Sequence, residues 1–236
     1  MKTILVTGGS KGIGKSLVFQ AALKGYKVIF TYNKSFKDAK KICDKLKDKC
    51  VALKVDLSKD KERNKIFNYL KKNKIKIDCL VNNAAYDVKR KKFDKIKLEE
   101  IKKIYEVNVF AIYDIINKTI KFMKKEEKWN SIINMSSTAA KYGGKNFTHY
   151  APTKAAIENL TIGLSRELVD KKIRVLSISP GVISTKLQNT KNKKLINSIP
   201  AGRLGTPEEV AKLILWLDSK DAEYINGTTI TISGGR

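Results

Sequence analysis

Short apolar runs alternate with amphipathic stretches from one end of this chain to the other, and that rhythm leaves few folds open. Residues 3–6, 27–31, 51–55, 79–82, 131–135, 174–179 and 228–231 are brief, apolar and rich in β-branched side chains, the pattern of strands buried on both faces. Between them, residues 12–23, 36–47, 59–71, 98–123, 150–169 and 207–217 carry helical periodicity. Some helix starts are marked. Ser58 precedes a stretch bearing Glu62, and Thr206-Pro207-Glu208-Glu209 puts a cap residue, a proline and acids where a helix should begin. Strict alternation predicts an α/β fold: a doubly wound, seven-stranded parallel sheet with right-handed crossovers and helices on both faces. No linker or repeat divides residues 1–236, so one domain is expected.

Composition excludes several classes. An apolar fraction of 42% suits a folded core of this size. No apolar run approaches the roughly 20 residues that cross a bilayer, and the opening segment is too short for a signal sequence. Cys43, Cys50 and Cys79 lack metal-ligand spacing, and reduced thiols in a cytoplasmic protein are the expectation. The 49 basic residues outnumber 23 acids, for a formal charge of +26. Only six of those cations are arginine, and the lysines spread along the chain without interleaved aromatics. That is the pattern of solvated helix faces rather than of a stacking platform for nucleic acid. The same charge would help to collect anionic ligands.

The first strand ends at Thr7, and Gly8, Gly12 and Gly14 fall at the strand-to-helix junction around Ser10, Lys11 and Ile13. Glycine there permits a tight turn and close approach of a pyrophosphate, stabilised by the free amides and dipole of the following helix. The spacing G-x-x-x-G-x-G departs from the usual dinucleotide fingerprint, so the turn alone is a weak signal. After the second strand stand Thr31-Tyr32-Asn33-Lys34, with no carboxylate to bind the adenosine ribose hydroxyls and repel a 2′-phosphate. With Lys11 and Lys34 nearby, NADPH is expected over NADH. Asp56-Leu57, closing the third strand, can meet the adenine amino group or simply start a helix.

Tyr150 follows Ser137 by thirteen residues, and Lys154 follows Tyr150 by one helical turn. A tyrosine with a pKa of about 10 is a poor base at neutral pH. A lysine at i+4 on the same helix face would favour the phenolate. Pro152 lies between them, where a first helical turn tolerates it. Ser137 could hydrogen-bond a substrate oxygen.

Thr7-Gly8-x-x-x-Gly12-x-Gly14, Asn82-Asn83-Ala84-Ala85, Asn108, Ser137, Tyr150-x-x-x-Lys154 and Pro180-Gly181 together resemble the short-chain dehydrogenase/reductase family over essentially the whole chain. The resemblance implies a Rossmann fold and an oxidoreductase. It gives Tyr150 the role of general acid or base, with Lys154 tuning it and bonding the nicotinamide ribose. Ser137 would orient the substrate oxygen, and Asn108 would hold a water that relays protons to Lys154. Asn82 and Ala84 would line the cofactor, with Pro180, Gly181, Ile183 and Thr185 near the nicotinamide. The family also implies a homotetramer and a substrate lid at residues 185–199. Ala85 stands where the family usually has glycine, and His149 reads as a rim or packing residue.

Residues 200–205 resemble 3-oxoacyl-(acyl-carrier-protein) reductases, and a basic surface would suit an acidic acyl carrier protein. The loop from Ala85 to Arg90 departs from that group's usual Gly-Ile-Thr-x-Asp. Three readings follow: an NADPH-dependent reductase of 3-oxoacyl thioesters, an NAD(P)-dependent dehydrogenase of a sugar, polyol or other small alcohol, and a non-catalytic dinucleotide-binding protein.

Overall fold

The computed structural model describes residues 1–86, 88–123, 128–185 and 193–236. Seven strands form one parallel sheet: β1 (Thr3–Val6), β2 (Lys27–Tyr32), β3 (Cys50–Lys54), β4 (Cys79–Asn82), β5 (Asn130–Met135), β6 (Ile173–Pro180) and β7 (Thr229–Ile232). Their order is β3-β2-β1-β4-β5-β6-β7, so the winding reverses between β1 and β4. That reversal opens a crevice beyond the carboxyl ends of the strands, where open α/β sheets bind ligands.

Two-residue alternation along each strand feeds two cores. Ile4, Val6, Val28, Phe30 and Val81 pack on one face against helices α1 (Gly12–Leu23), α2 (Phe36–Leu46) and α9 (Pro207–Leu217), numbered in chain order. Leu5, Ile29, Leu80 and Ile132 pack on the other face against α3 (Asp60–Lys72), α5 (Ala111–Ile120) and α7 (Ala151–Glu167). The remaining helices are α4 (Leu98–Tyr105), α6 (Ala139–Tyr142) and α8 (Lys193–Asn197).

Most expected boundaries move by one or two residues, but three features differ in kind. The expected single helix at 98–123 is interrupted by a π turn at Glu106–Phe110 and ends at Ile120. Ser58 is not the cap of α3. That position belongs to Lys59, while the Ser58 amide and hydroxyl donate to Asp56 at 3.1 and 2.7 Å. Part of the expected lid is ordered as α8, while residues 186–192 lie outside the described residues. Thr206 caps α9 as expected, in a reciprocal box with Glu209.

One buried cation joins α3 to the helices opposite it. Arg63, 6% exposed, donates to Asp114 at 2.7 Å, to Glu106 at 3.0 Å and to the Leu57 carbonyl at 2.7 Å. A guanidinium suits this position because its fixed fork can meet several acceptors at once. The grouping links the loop after β3 to the π turn. Arg63→Met leaves the Leu57 carbonyl and the partly exposed Glu106 without this donor, while Asp114 keeps its ion pair with Lys118 at 2.8 Å. A loss of about 2–3 kcal/mol is expected, somewhat below the range for fully buried pairs, measurable as a lower urea midpoint at unchanged slope.

Candidate active site

The crevice is built around Thr7 and Asn83, at the carboxyl ends of β1 and β4. Asn83 Nδ2 donates to the carbonyls of Thr7 and Gly8 at 3.0 and 3.1 Å. The Thr7 hydroxyl in turn accepts from the amides of Asn83 and Ala84, both at 3.0 Å. The glycine turn is therefore fixed from behind. From the β2 side, the Gly9 amide donates to the Thr31 carbonyl at 2.9 Å and the Gly8 amide to its hydroxyl at 3.2 Å. Gly8 and Gly12 have φ of +69° and +52°, conformations that a side chain strains. A Cβ on Gly14 would sit 2.6 Å from Asn83 Nδ2. Helix α1 starts after Lys11 with no side-chain cap, which leaves its first amides facing the crevice for an anion. Ser10 is buried and Ile13 half-buried at this turn.

This cradle fits a dinucleotide pyrophosphate, and the other expected cofactor residues surround it with some revisions. Thr185, beyond β6, faces the turn: its methyl carbon would meet a Cβ on Gly12 at 3.4 Å. Gly181 is pinned by its amide to the Ile232 carbonyl at 2.9 Å, and the Pro180 carbonyl accepts from Thr138 at 3.1 Å. Ile183 is buried and bridges to Gly205. Ala84 packs beneath Gly8. The Asn82 side chain, by contrast, points into the sheet, where its amide donates to Asn134 at 2.8 Å, so its neighbour Asn83 does the work at the turn.

At the carboxyl end of β2, Tyr32 is buried against Phe36 and Asn33 is exposed. Leu57 is buried with its carbonyl committed to Arg63. Burial works to raise the Asp56 carboxyl pKa, but hydrogen bonds from Ser58 outweigh it and hold the value below the usual range. Sequence reading found no acid beside Lys11 and Lys34. The fold supplies one, because Asp38 in the first turn of α2 lies 3.8 Å from Lys11 in an exposed pair.

Ser137, Tyr150 and Lys154 converge from the end of β5 and the start of α7. Tyr150 occupies the N-cap position, with Pro152 inside the first turn. Phe147 packs on its ring at 5.0 Å between centroids. Burial pushes the Tyr150 hydroxyl up to about 12, opposed by a hydrogen bond from Ser137. Lys154 is 2% exposed, and burial pushes its ammonium down to about 8. Its Nζ donates to the Met135 carbonyl at 2.8 Å and lies 5.7 Å from the Tyr150 ring centroid. Desolvation dominates both groups, driving each toward its neutral form.

Asn108 is fully buried in the π turn. Its Oδ1 accepts from the Tyr86 amide at 2.8 Å, and its Nδ2 donates to the Thr153 hydroxyl at 3.2 Å. The extra residue of a π turn rotates one side chain out of helical register, and such turns gather at functional sites. Here it aims Asn108 at the helix that carries Tyr150 and Lys154. His149 is buried, as a packing residue should be, with Nε2 placed 3.2 Å from the Lys89 carbonyl. Among the described residues no cluster of metal-ligating side chains occurs, and no helix is long and apolar enough to cross a membrane.

A Rossmann crevice with a glycine cradle, faced by a Ser–Tyr–Lys set, defines a nucleotide-dependent oxidoreductase. Comparison with known proteins makes this specific. A family model described as enoyl-(acyl carrier protein) reductase matches residues 8–236. The glucose and ribitol dehydrogenase of Daucus carota is 33% identical, over 99% of this chain and 84% of that one. The 3-oxoacyl-(acyl-carrier-protein) reductase FabG of Aquifex aeolicus is 32% identical, over 99% and 96%. A 3-ketoacyl-(acyl-carrier-protein) reductase from Brucella melitensis, solved with NADH, superposes with a TM-score of 0.93 at 31% identity, covering 100% of this chain and 98% of that one. A blue fluorescent protein from a metagenomic library, solved with NADPH, superposes at 0.92 with 26% identity, covering 99% and 97%. The chain belongs to the short-chain dehydrogenase/reductase family, and it is an oxidoreductase.

Two outcomes test this geometry. Gly14→Ala should abolish nucleotide binding in a fluorescence titration, because the added methyl displaces Asn83 from the cradle. Lys154 carries a buried charge that folding disfavours. Its pKa falls from 10.5 in the open chain to about 8, a cost on the order of 3 kcal/mol at neutral pH. The unfolded chain holds this proton more tightly, so the Lys154 contribution becomes more favourable as pH rises from 8 to 10.5. Lys154→Met, less the lost bond to Met135, should raise apo stability by about 1–2 kcal/mol at pH 7. Thermal melts should show that advantage shrinking toward pH 10.

Proposed function

We propose that this protein is an NADPH-dependent reductase of carbonyl groups, acting on 3-oxoacyl thioesters, with Tyr150 as the general acid. The observation that carries the reading is Tyr150 itself. Its hydroxyl takes a hydrogen bond from Ser137 and its ring lies 5.7 Å from the Lys154 ammonium, so a protonated donor to a carbonyl oxygen stands beside a cation that can offset the charge it leaves. A nicotinamide cofactor bound in the crevice supplies the hydride. The chain's own residues bind, orient and move the proton.

The Gly8–Gly14 turn and the amides of α1 hold the pyrophosphate, with Ser10, Lys11 and Ile13 around it. Tyr32, Asn33, Asp56 and Leu57 border the adenosine, and Ala84 with the backbone of Asn82 lines the middle of the cofactor. Pro180, Gly181, Ile183 and Thr185 close the nicotinamide end. Ser137 orients the substrate oxygen beside the Tyr150 hydroxyl. Lys154, charged below about pH 8, bonds the nicotinamide ribose and offsets the phenolate that forms as the proton leaves. Asn108 holds the proton-relay water between the π turn and Lys154. Lys11 and Lys34 favour the 2′-phosphate, while Asp38 beside Lys11 tempers that preference and leaves NADH usable.

Support for the substrate class comes from the acyl-carrier reductases among the relatives and from the formal charge of +26, which attracts an acidic carrier. The second reading is NAD(P)-dependent oxidation of a sugar, polyol or other small alcohol. It is favoured by the similarity to the carrot glucose and ribitol dehydrogenase and by the departure at Ala85–Arg90 from the usual acyl-carrier reductase loop. Activity in the cytoplasm, as a homotetramer with residues 185–199 as lid, completes the proposal.

The test follows NADPH and NADH absorbance with acetoacetyl thioester and, in parallel, with ribitol and glucose plus the oxidised cofactors. Rapid NADPH oxidation by the thioester, reduced at least 100-fold in Tyr150→Phe, is expected from the contribution of general acid catalysis. Turnover of ribitol but not of the thioester would install the second reading.

A further inference from the structure

Arginine is used sparingly in this lysine-rich chain, with six residues in all. Three of them have evident structural employment. Arg63 joins three elements, Arg174 donates to the carbonyls of Leu217, Ala222 and Ile225, and Arg203 forks onto Glu209. Arg90 differs: its guanidinium is held in place, yet no carboxylate pairs with it among the described residues.

Two segments that flank the crevice hold Arg90. It lies in the loop after β4, and the segment before Tyr150 clasps that loop on both sides of it. The Lys91 amide donates to the Asn146 carbonyl at 2.9 Å, and His149 Nε2 stands 3.2 Å from the Lys89 carbonyl, a geometry in which Nε2–H donates. Arg90 NH1 donates to the Lys145 carbonyl at 3.1 Å, while Cζ lies 4.6 Å from the centroid of the Phe147 ring. Phe147 in turn packs on Tyr150 at 5.0 Å. One aromatic ring therefore separates a fixed guanidinium from the tyrosine that faces the substrate. Arg90 as a whole is exposed to solvent.

We infer that Arg90 is an anion clamp for the substrate, so that the protein selects carbonyl compounds bearing a carboxylate or phosphate a short distance from the reacting group. Stacking on Phe147 limits the freedom of the guanidinium and removes water from one face, which lowers the ordering cost of a bidentate contact. A planar fork matches the two oxygens of a carboxylate or phosphate better than an ammonium does. Glu100, at the start of α4, is already paired with the neighbouring Lys91 rather than with Arg90. The inference rests on the reading of Tyr150 as proton donor and adds to it the chemistry of the group that anchors the substrate.

The experiment compares charged and neutral forms of one carbonyl compound. Acetoacetyl-coenzyme A, which carries phosphates, is set against acetoacetyl-N-acetylcysteamine, and 4-oxopentanoate against its methyl ester. Each pair is assayed with NADPH in wild type, Arg90→Met, Arg90→Lys and Tyr150→Phe. The expected result is that Arg90→Met lowers the ratio of kcat/KM for the charged over the neutral form at least tenfold, through KM, while Arg90→Lys restores part of it. A loss confined to the coenzyme A pair identifies the anion as phosphate, and one confined to the oxoacid pair identifies it as carboxylate. An unchanged ratio in both pairs, or equal losses on charged and neutral forms, overturns the clamp. Full turnover in Tyr150→Phe overturns the proton-donor reading separately, because the charged-to-neutral ratio is still read in that variant.

Discussion

Everything at the crevice depends on the crossed hydrogen bonds between Thr7 and Asn83. The sheet reverses its winding between β1 and β4, so the chain leaves these neighbouring strands in opposite directions and would leave a gap above them. The Asn83 amide fills part of that gap by donating to two carbonyls of the glycine turn, and the Thr7 hydroxyl accepts from two amides of the β4 loop. Backbone groups at such a junction cannot pair within the sheet. Left buried and unsatisfied they would each cost about 1–3 kcal/mol. Satisfying them in this way fixes the turn whose shape fits a pyrophosphate and the start of the loop whose Tyr86 amide bonds Asn108 in the π turn.

A second constraint is desolvation. Lys154 and Tyr150 are both buried, and each is driven toward its neutral form: the lysine down to about 8, the tyrosine up to about 12. With the Met135 carbonyl as its hydrogen-bond partner and no carboxylate paired to it among the described residues, the ammonium is held at a cost to stability, as strained and charged active sites commonly are. The same burial makes the pair responsive. A bound ribose hydroxyl or a developing phenolate meets a charge in a medium of low polarity, where it counts for more than in water.

Much of the fold was legible in the sequence. The seven apolar runs became seven strands because residues buried on both faces must be apolar throughout, and the Thr206–Glu209 cap lies where its chemistry demanded. Gly8, Gly12 and Gly14 mark the cradle because their backbone conformations and close contacts admit almost nothing else. The π turn leaves no mark in the sequence, since 98–123 has one continuous helical pattern and periodicity cannot register a single inserted residue. Ser58 marks the approach to α3 without capping it, because its side chain bonds Asp56 instead.

What the sequence by itself determined is the inventory: the strand and helix order, the glycine turn, and the presence of Ser137, Tyr150 and Lys154 at fixed spacing. The tertiary structure decided the partners. It turned Asn82 into the sheet and gave the turn to Asn83, set Asp38 against Lys11, and made Arg63 a joint between α3 and the π turn. It also buried Lys154 deeply enough for desolvation to push its ammonium down to about 8. The physical reason is common to all four. Local pattern reports which face of an element is apolar, whereas the partner of a polar group and its exposure to water depend on which distant segments packing brings against it.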